Sequence, residues 1–106
     1  MKILAREILL SFWKVHILHH AAEGAVYGQW MIEELRRHGY YISPGTLYPL
    51  LRRMEEHGWL KCVVSGALNS HARKEYRLTK EGFKVLEVVR TQLKELFGEV
   101  VKGTRR

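Results

Sequence analysis

The sequence predicts a mainly α-helical domain that carries one small β-hairpin and ends in a further helix. Glycines and prolines divide the 106 residues into segments of helix or strand length, with no linker or low-complexity tract. Most segments repeat apolar residues every three or four positions, which is typical of helices. Two short segments are instead rich in β-branched and aromatic residues, which is typical of strands. The predicted order is helix, helix, helix, strand, strand, helix.

The composition is that of a globular protein with a basic surface. Apolar residues make up 46% of the chain and charged residues 27%. The net charge of +7 indicates a polyanionic partner, with DNA, RNA and an anionic membrane surface all open on this ground. A single cysteine excludes an intrachain disulfide, and no apolar run is long enough for a signal peptide or a membrane span. We therefore expect a cytoplasmic protein without membrane association.

The first predicted helix, about Leu4–Glu23, is apolar on more than one side. One stripe contains Ile8, Phe12 and Val15, and an adjoining stripe includes Trp13 and Ile17. A helix this apolar is buried on two sides, and in so short a chain we expect a second subunit to cover one of them. Core packing is the simpler role for Trp13. The alternative is stacking against a flat aromatic effector at the subunit interface.

The third predicted helix follows a short second helix, about Tyr27–His38, that ends before Gly39. Ser43 is a suitable N-cap for it, and Pro44 suits the first helical position because its missing N–H costs nothing there. Its apolar face has helical spacing and consists of Leu47, Leu50, Leu51 and Met54. We expect a local kink at Pro49, since proline removes one helical hydrogen bond.

The opposite face of the third helix has the composition of a DNA recognition helix. Gly45 and Thr46 keep its leading end thin enough for the major groove. Tyr48 could reach a phosphate or a thymine methyl group, and Arg52 and Arg53 could reach phosphates or a guanine edge. The simpler alternative is a solvated basic face.

A hairpin follows, with predicted strands at Leu60–Val64 and Lys74–Leu78. Two helices joined by a turn and followed by a hairpin have the order of a winged helix-turn-helix. We expect His71, Arg73 and Lys74, at the end of the hairpin loop, to contact the DNA backbone or minor groove. The alternative is a hairpin tip that is merely solvated.

A last helix, about Lys80–Val101, begins after Thr79 and carries an apolar seam along one side. We therefore divide the chain into a winged helix-turn-helix at residues 1–78 and a dimerisation helix at residues 79–106. Pairing of this helix with the first helix across a two-fold axis would bury both apolar faces. The predicted dimer interface consists of Ile8, Phe12, Val15, Leu86, Val89, Leu93, Leu96, Phe97 and Val100.

The sequence offers little support for a metal or an enzyme. His16, His19 and His20 have a spacing that could place two imidazoles on one zinc ion. Apart from Glu23, however, no further ligand lies at a matching distance on the same helix, so we expect a mixed helix face, no metal and no cofactor. Cys62 falls on the apolar face of its strand, as a structural thiol would. No catalytic triad, carboxylate pair or phosphate-binding loop can be assembled.

Three blocks of the chain resemble the PadR-type transcriptional regulators: Tyr27–Gly28, Ser43–Leu60 and Arg73–Gly82. The central block reads SPGTLYPLLRRMEEHGWL and is the most specific of them. The resemblance implies a homodimer that binds an inverted-repeat operator, usually as a repressor, with release by a small-molecule effector. The single C-terminal helix resembles that of a short subgroup, some members of which accommodate flat aromatic compounds between subunits.

The resemblance also extends to particular positions. Residues that match DNA-facing positions of the family are Tyr27, Ser43, Thr46, Tyr48 and Arg53, with Arg73 and Lys74 in the wing. Pro49 is usual in that recognition helix. Glu75 departs from the pattern, because the family usually has an aromatic residue there. A protein-interaction module, or an architectural module that binds DNA without sequence preference, remains the alternative function.

Overall fold

The computed structural model describes residues 2–65 and 73–103, and its element order confirms the predicted fold class. Four α-helices surround a small antiparallel sheet, and a π-helical turn follows the last helix. The helices are α1 (Lys2–Glu23), α2 (Gly28–Arg37), α3 (Pro44–Glu56) and α4 (Lys80–Leu96), and the π-helical turn spans Phe97–Val101. The strands are β1 (Val26–Tyr27), β2 (Leu60–Ser65) and β3 (Arg73–Leu78).

The sheet has three strands in the order β1-β3-β2, so β3 is central. The sequence predicted β2 and β3 but not β1, because two residues are too few to show alternation. Val26 and Cys62 both pair with Tyr76, one from each side. Directly paired residues project from the same face of a sheet, and this face packs on the core. Burial raises the pKa of Tyr76 to about 12, with Cys62 as the next largest cause.

The core lies between the helices and this sheet. The apolar face predicted for α3 is confirmed, since its four members have no exposed surface. They pack with residues from the other elements, of which the most buried are Ile17, Leu18, Met31, Leu35, Leu60 and Leu86.

Helix α1 has two apolar faces, as its pattern predicted. Trp13 and Ile17 lie in the core, whereas Ile8 and Phe12 are exposed to solvent. The far half of α4 is also exposed and ends in apolar side chains on the π-helical turn. The exposed apolar residues of α4 and that turn include Val88, Leu93, Leu96, Phe97, Val100 and Val101.

Several local expectations require correction. Leu86 was expected at the dimer interface but is 1% exposed and belongs to the core of its own chain, because α4 packs on α1 at this level. Ser43 occupies the N-cap position of α3, yet its side chain makes no capping hydrogen bond. Thr79 does cap α4: its Oγ1 accepts the backbone N–H of Gly82 at 2.9 Å. Helix α3 includes Pro49 within its span, and the kink expected there stays a prediction.

Candidate nucleic-acid interface

The N-terminal half of α3 projects from the surface, because only one side of the helix is apolar. Ser43, Pro44 and Gly45 are exposed, and Thr46 and Pro49 are partly exposed. Tyr48 is 37% exposed, and Arg52 and Arg53 project into solvent one turn further on. No acidic residue lies in the first turn of α3. The positive end of the helix dipole is therefore unopposed within that turn, which favours phosphate.

The start of α2 positions Tyr48. A Cβ added to Gly28 would overlap the phenol ring of Tyr48, so the ring lies directly on the backbone of α2. Glycine is the residue that permits so close an approach. The contact fixes the direction in which Tyr48 leaves α3.

Tyr27, the residue before α2, is fixed to the hairpin. Its hydroxyl donates a hydrogen bond of 2.9 Å to Glu75 Oε2, and Arg77 Nε donates one of 2.7 Å to Glu75 Oε1. These bonds, first that from Arg77 and then that from Tyr27, hold the pKa of Glu75 below its ordinary value. Glu75 thus links β1, and with it the start of α2, to the wing strand β3.

The wing residues predicted from the sequence are only partly described. Lys74 is exposed on β3 and borders an open groove of about 690 Å³ between α2, α3 and the sheet. Arg73 begins β3, but its side chain lies outside the described residues, as does the whole of His71. The residues that line the groove are Tyr27, Gly28, Gln29, Trp30, Glu33, Tyr48 and Lys74.

Three residues of this surface were missed by sequence reasoning. Arg6 of α1 donates a hydrogen bond of 3.3 Å from Nη2 to Thr46 Oγ1, which places a guanidinium beside the leading end of α3. Forty residues separate the two in sequence, and no motif connects them. The sequence indicated Gln29 and Trp30 only weakly, through their position in the first turn of α2.

A second concave surface lies between α1 and α4. This α1–α4 groove has a volume of about 390 Å³ and is lined by Phe12, Val15, His16, His19, Tyr40, Leu86, Arg90 and Leu93. Trp13 is not among these lining residues, and it is buried in the core with 5% of its surface exposed. Its ring meets Tyr40 edge-on with 6.2 Å between centroids, so Tyr40 connects Trp13 to the groove.

Residues 17–88, which include α2, α3 and the hairpin, match the family described as the Transcriptional regulator PadR-like family. The chain belongs to that family. The chain is also similar to a curated protein, the transcriptional regulator Rv3488 of Mycobacterium tuberculosis. The two are 46% identical over 101 residues, covering 92% of this chain and 91% of the relative.

Solved structures agree with this assignment. A PadR family transcriptional regulator from Eggerthella lenta is 32% identical, with a TM-score of 0.75 and coverage of 95% of this chain and 92% of the other. A transcriptional regulator from Clostridium thermocellum is 25% identical, with a TM-score of 0.76 and coverage of 94% and 99%.

Membership in the PadR-like family defines the general function of this chain. Regulators of this type bind DNA, and the chain is a transcriptional regulator with a winged-helix fold. The family and the compared structures are regulators and not enzymes, in agreement with the sequence-based prediction. Within the described residues, no helix is both long and apolar enough to cross a bilayer.

Proposed function

We propose that this PadR-like protein is a homodimeric repressor that reads an inverted-repeat operator with α3. The observation that carries the proposal is the surface formed by the leading end of α3. This surface is exposed, and the first turn of α3 contains no acidic residue. It combines the small residues Gly45 and Thr46 with Tyr48 and Arg53. A helix end of this kind fits the major groove, where arginine can form paired hydrogen bonds with guanine.

The proposed DNA-contacting surface extends beyond α3. Two exposed cations lie near the helix: Arg6 is beside Thr46, and Lys74 borders the groove that Tyr48 also lines. Phosphate contacts of this kind fix the orientation of a protein on the duplex, whereas α3 carries the sequence preference. The remaining proposed contacts are Tyr27, Ser43, Pro44, Gly45, Pro49, Arg52, His71 and Arg73.

Two apolar surfaces support the dimer. Large apolar side chains are exposed to solvent on both helices. They are Ile8 and Phe12 on α1, and Leu93, Leu96 and Phe97 on α4 and its π-helical turn. Contiguous exposed apolar residues are unusual on a monomer and typical of a subunit interface. Val15, Val89 and Val100 extend the same faces, and a two-fold axis would let α1 and α4 of one subunit cover those of the other.

An effector site is proposed for the α1–α4 groove. Its volume of about 390 Å³ is within the range of small-molecule pockets, and its wall is largely apolar with Arg90 at one side. A flat aromatic compound held there would contact both proposed dimer helices. It could therefore change the separation of the two recognition helices and release the operator.

Selection from a random DNA library with the purified protein, followed by salt titration on the best site, tests the proposed function. We expect a palindrome with half-sites separated by one helical turn or a multiple of it, about 10 base pairs each. Selection of no motif, with affinity that depends only on salt, would instead indicate a non-specific architectural or protein-interaction module. Addition of a planar aromatic dye to the complex then tests the effector: release of the operator supports it, and unchanged binding contradicts it.

A further inference from the structure

Four side chains from two separate parts of the sequence meet where α1 passes the end of α2. They are His16 and His20 of α1, Glu34 of α2, and His38 directly after α2, and we call them the histidine cluster. One ligand nitrogen from each of the three histidines lies within 4.8 Å of the others. Glu34 Oε2 lies 3.2 Å from His38 Nε2 and 3.5 Å from His20 Nε2.

The centre of the cluster contains a buried nitrogen with no hydrogen-bond partner. His20 Nε2 has no exposed surface, and Glu34 Oε2 at 3.5 Å is not in hydrogen-bond geometry with it. The side chains of His20 and Glu34 are only 11% and 12% exposed. Buried polar atoms are normally paired, and an unpaired one indicates an absent water, ion or ligand.

Neighbouring side chains orient His20 and Glu34 toward the centre of the histidine cluster. His20 Nδ1 lies 3.3 Å from Glu23 Oε1, so the nitrogen that remains for another partner is Nε2. Arg37 Nη1 donates to Glu34 Oε1 at 3.2 Å, which leaves Oε2 facing the histidines. When one ring nitrogen of a histidine binds a metal, the other ring nitrogen commonly donates its N–H to a carboxylate.

We propose that the histidine cluster binds one divalent transition-metal ion of the zinc type, with His16, His20, His38 and Glu34 as ligands. Ligand atoms on tetrahedral zinc at about 2.0–2.1 Å stand roughly 3.4 Å apart. Glu34 Oε2 already lies at about this distance from His20 Nε2 and from His38 Nε2. The three histidine nitrogens, which lie within 4.8 Å of one another, reach it by side-chain movement. Imidazole with carboxylate suits zinc and its neighbours in the first transition series better than magnesium or calcium.

The proposed ligands belong to two parts of the fold, because His16 and His20 lie on α1 whereas Glu34 lies on α2 and His38 directly after it. An ion held here would join α1 to the end of α2, and so connect the proposed dimer helix to the helix-turn-helix.

The sequence alone favoured no metal, because the spacing of histidines within one helix offers too few ligands. The triad of His16, His19 and His20 is not the one that the fold assembles, since His38 and Glu34 come from beyond α1. A second group, His19, His20 and Glu23, shares His20 but lies on the exposed side of the helix. His19 therefore provides a matched control for the proposed site.

Titration of tag-free, EDTA-stripped protein with zinc, followed by calorimetry and metal analysis, tests the proposal. We expect one zinc per chain that survives dialysis, and visible absorption typical of tetrahedral coordination when cobalt is substituted. His38 is 44% exposed, so His38→Ala should fold normally while its zinc affinity falls at least about tenfold. Saturating zinc should raise the thermal midpoint of the unaltered chain more than that of His38→Ala.

The control variant His19→Ala should bind zinc as tightly as the unaltered chain and keep the cobalt spectrum. Absence of stoichiometric zinc, or equal affinity in His38→Ala, would overturn the site. A loss in His19→Ala that equals the loss in His38→Ala would also overturn it, in favour of the group on the exposed side of α1. Circular dichroism of each variant without metal separates these results from misfolding.

Discussion

The phenol ring of Tyr48 occupies the space that a side chain on Gly28 would need. This contact joins the middle of α3 to the first residue of α2, and it places Tyr48 beside the groove that Lys74 borders. The two helices of the helix-turn-helix are therefore set against each other at the proposed DNA surface as well as in the core.

The first prediction concerns this contact. Gly28→Ala should displace the Tyr48 ring and lower operator affinity by about tenfold, or roughly 1.4 kcal/mol, while the fold is retained. Fluorescence anisotropy with labelled operator measures the affinity. Gly24→Ala is the control, because a Cβ there has open space around it. In a Tyr48→Ala background the added methyl group should have little further effect, and a full tenfold loss there would contradict the coupling.

The second prediction concerns recognition. The double variant Tyr48→Ala, Arg53→Ala should fold and assemble normally but lose operator affinity, by about 1–3 kcal/mol for each base contact removed. Lys84→Ala, on the exposed side of α4, removes the same amount of charge as Arg53→Ala and should leave binding nearly unchanged. Operator affinity equal to that of the unaltered chain would exclude α3 as the recognition helix.

The third prediction separates the chain's own core from the proposed interface. Leu96→Glu places a charge on an exposed apolar position and should shift sedimentation from dimer to monomer. Leu86→Ala removes a side chain of the core and should instead destabilise each chain by about 2–5 kcal/mol. Tyr41→Glu, at a position 80% exposed, is the control for adding a charge elsewhere. Unchanged sedimentation of Leu96→Glu would contradict a dimer built on α4.

The fourth prediction concerns the start of α4. Thr79 Oγ1 accepts from Gly82 and donates to the backbone oxygen of Gly58 at 2.5 Å, so it connects α4 to the turn before β2. Thr79→Ala should lower the free energy of unfolding by about 1 kcal/mol. Thr79→Ser keeps the hydroxyl and should retain most of that stability. Urea unfolding compares the two, and equal losses would show that the hydroxyl contributes nothing.

Much of the fold could be read from local patterns, because they follow from helix and strand geometry. The spacing of Leu47, Leu50 and Leu51 predicted the buried face of α3, and Thr79 correctly marked the start of α4. Local patterns were less informative for β1, whose two residues form a strand only because β3 offers an edge to pair with. Local patterns also assigned Leu86 to the dimer interface and not to the core, since an apolar seam does not indicate which neighbouring element covers it.

The candidate site could likewise be predicted only in part from the sequence. The sequence by itself determined which face of α3 is not apolar, because the periodicity of the helix fixes that face, and the proposed recognition residues lie on it. Only the tertiary structure placed Arg6 beside Thr46, His38 beside His16 and His20, and Glu34 beside His20. The physical reason is that helical periodicity relates residues three and four apart, whereas contacts between helices depend on how the whole chain packs.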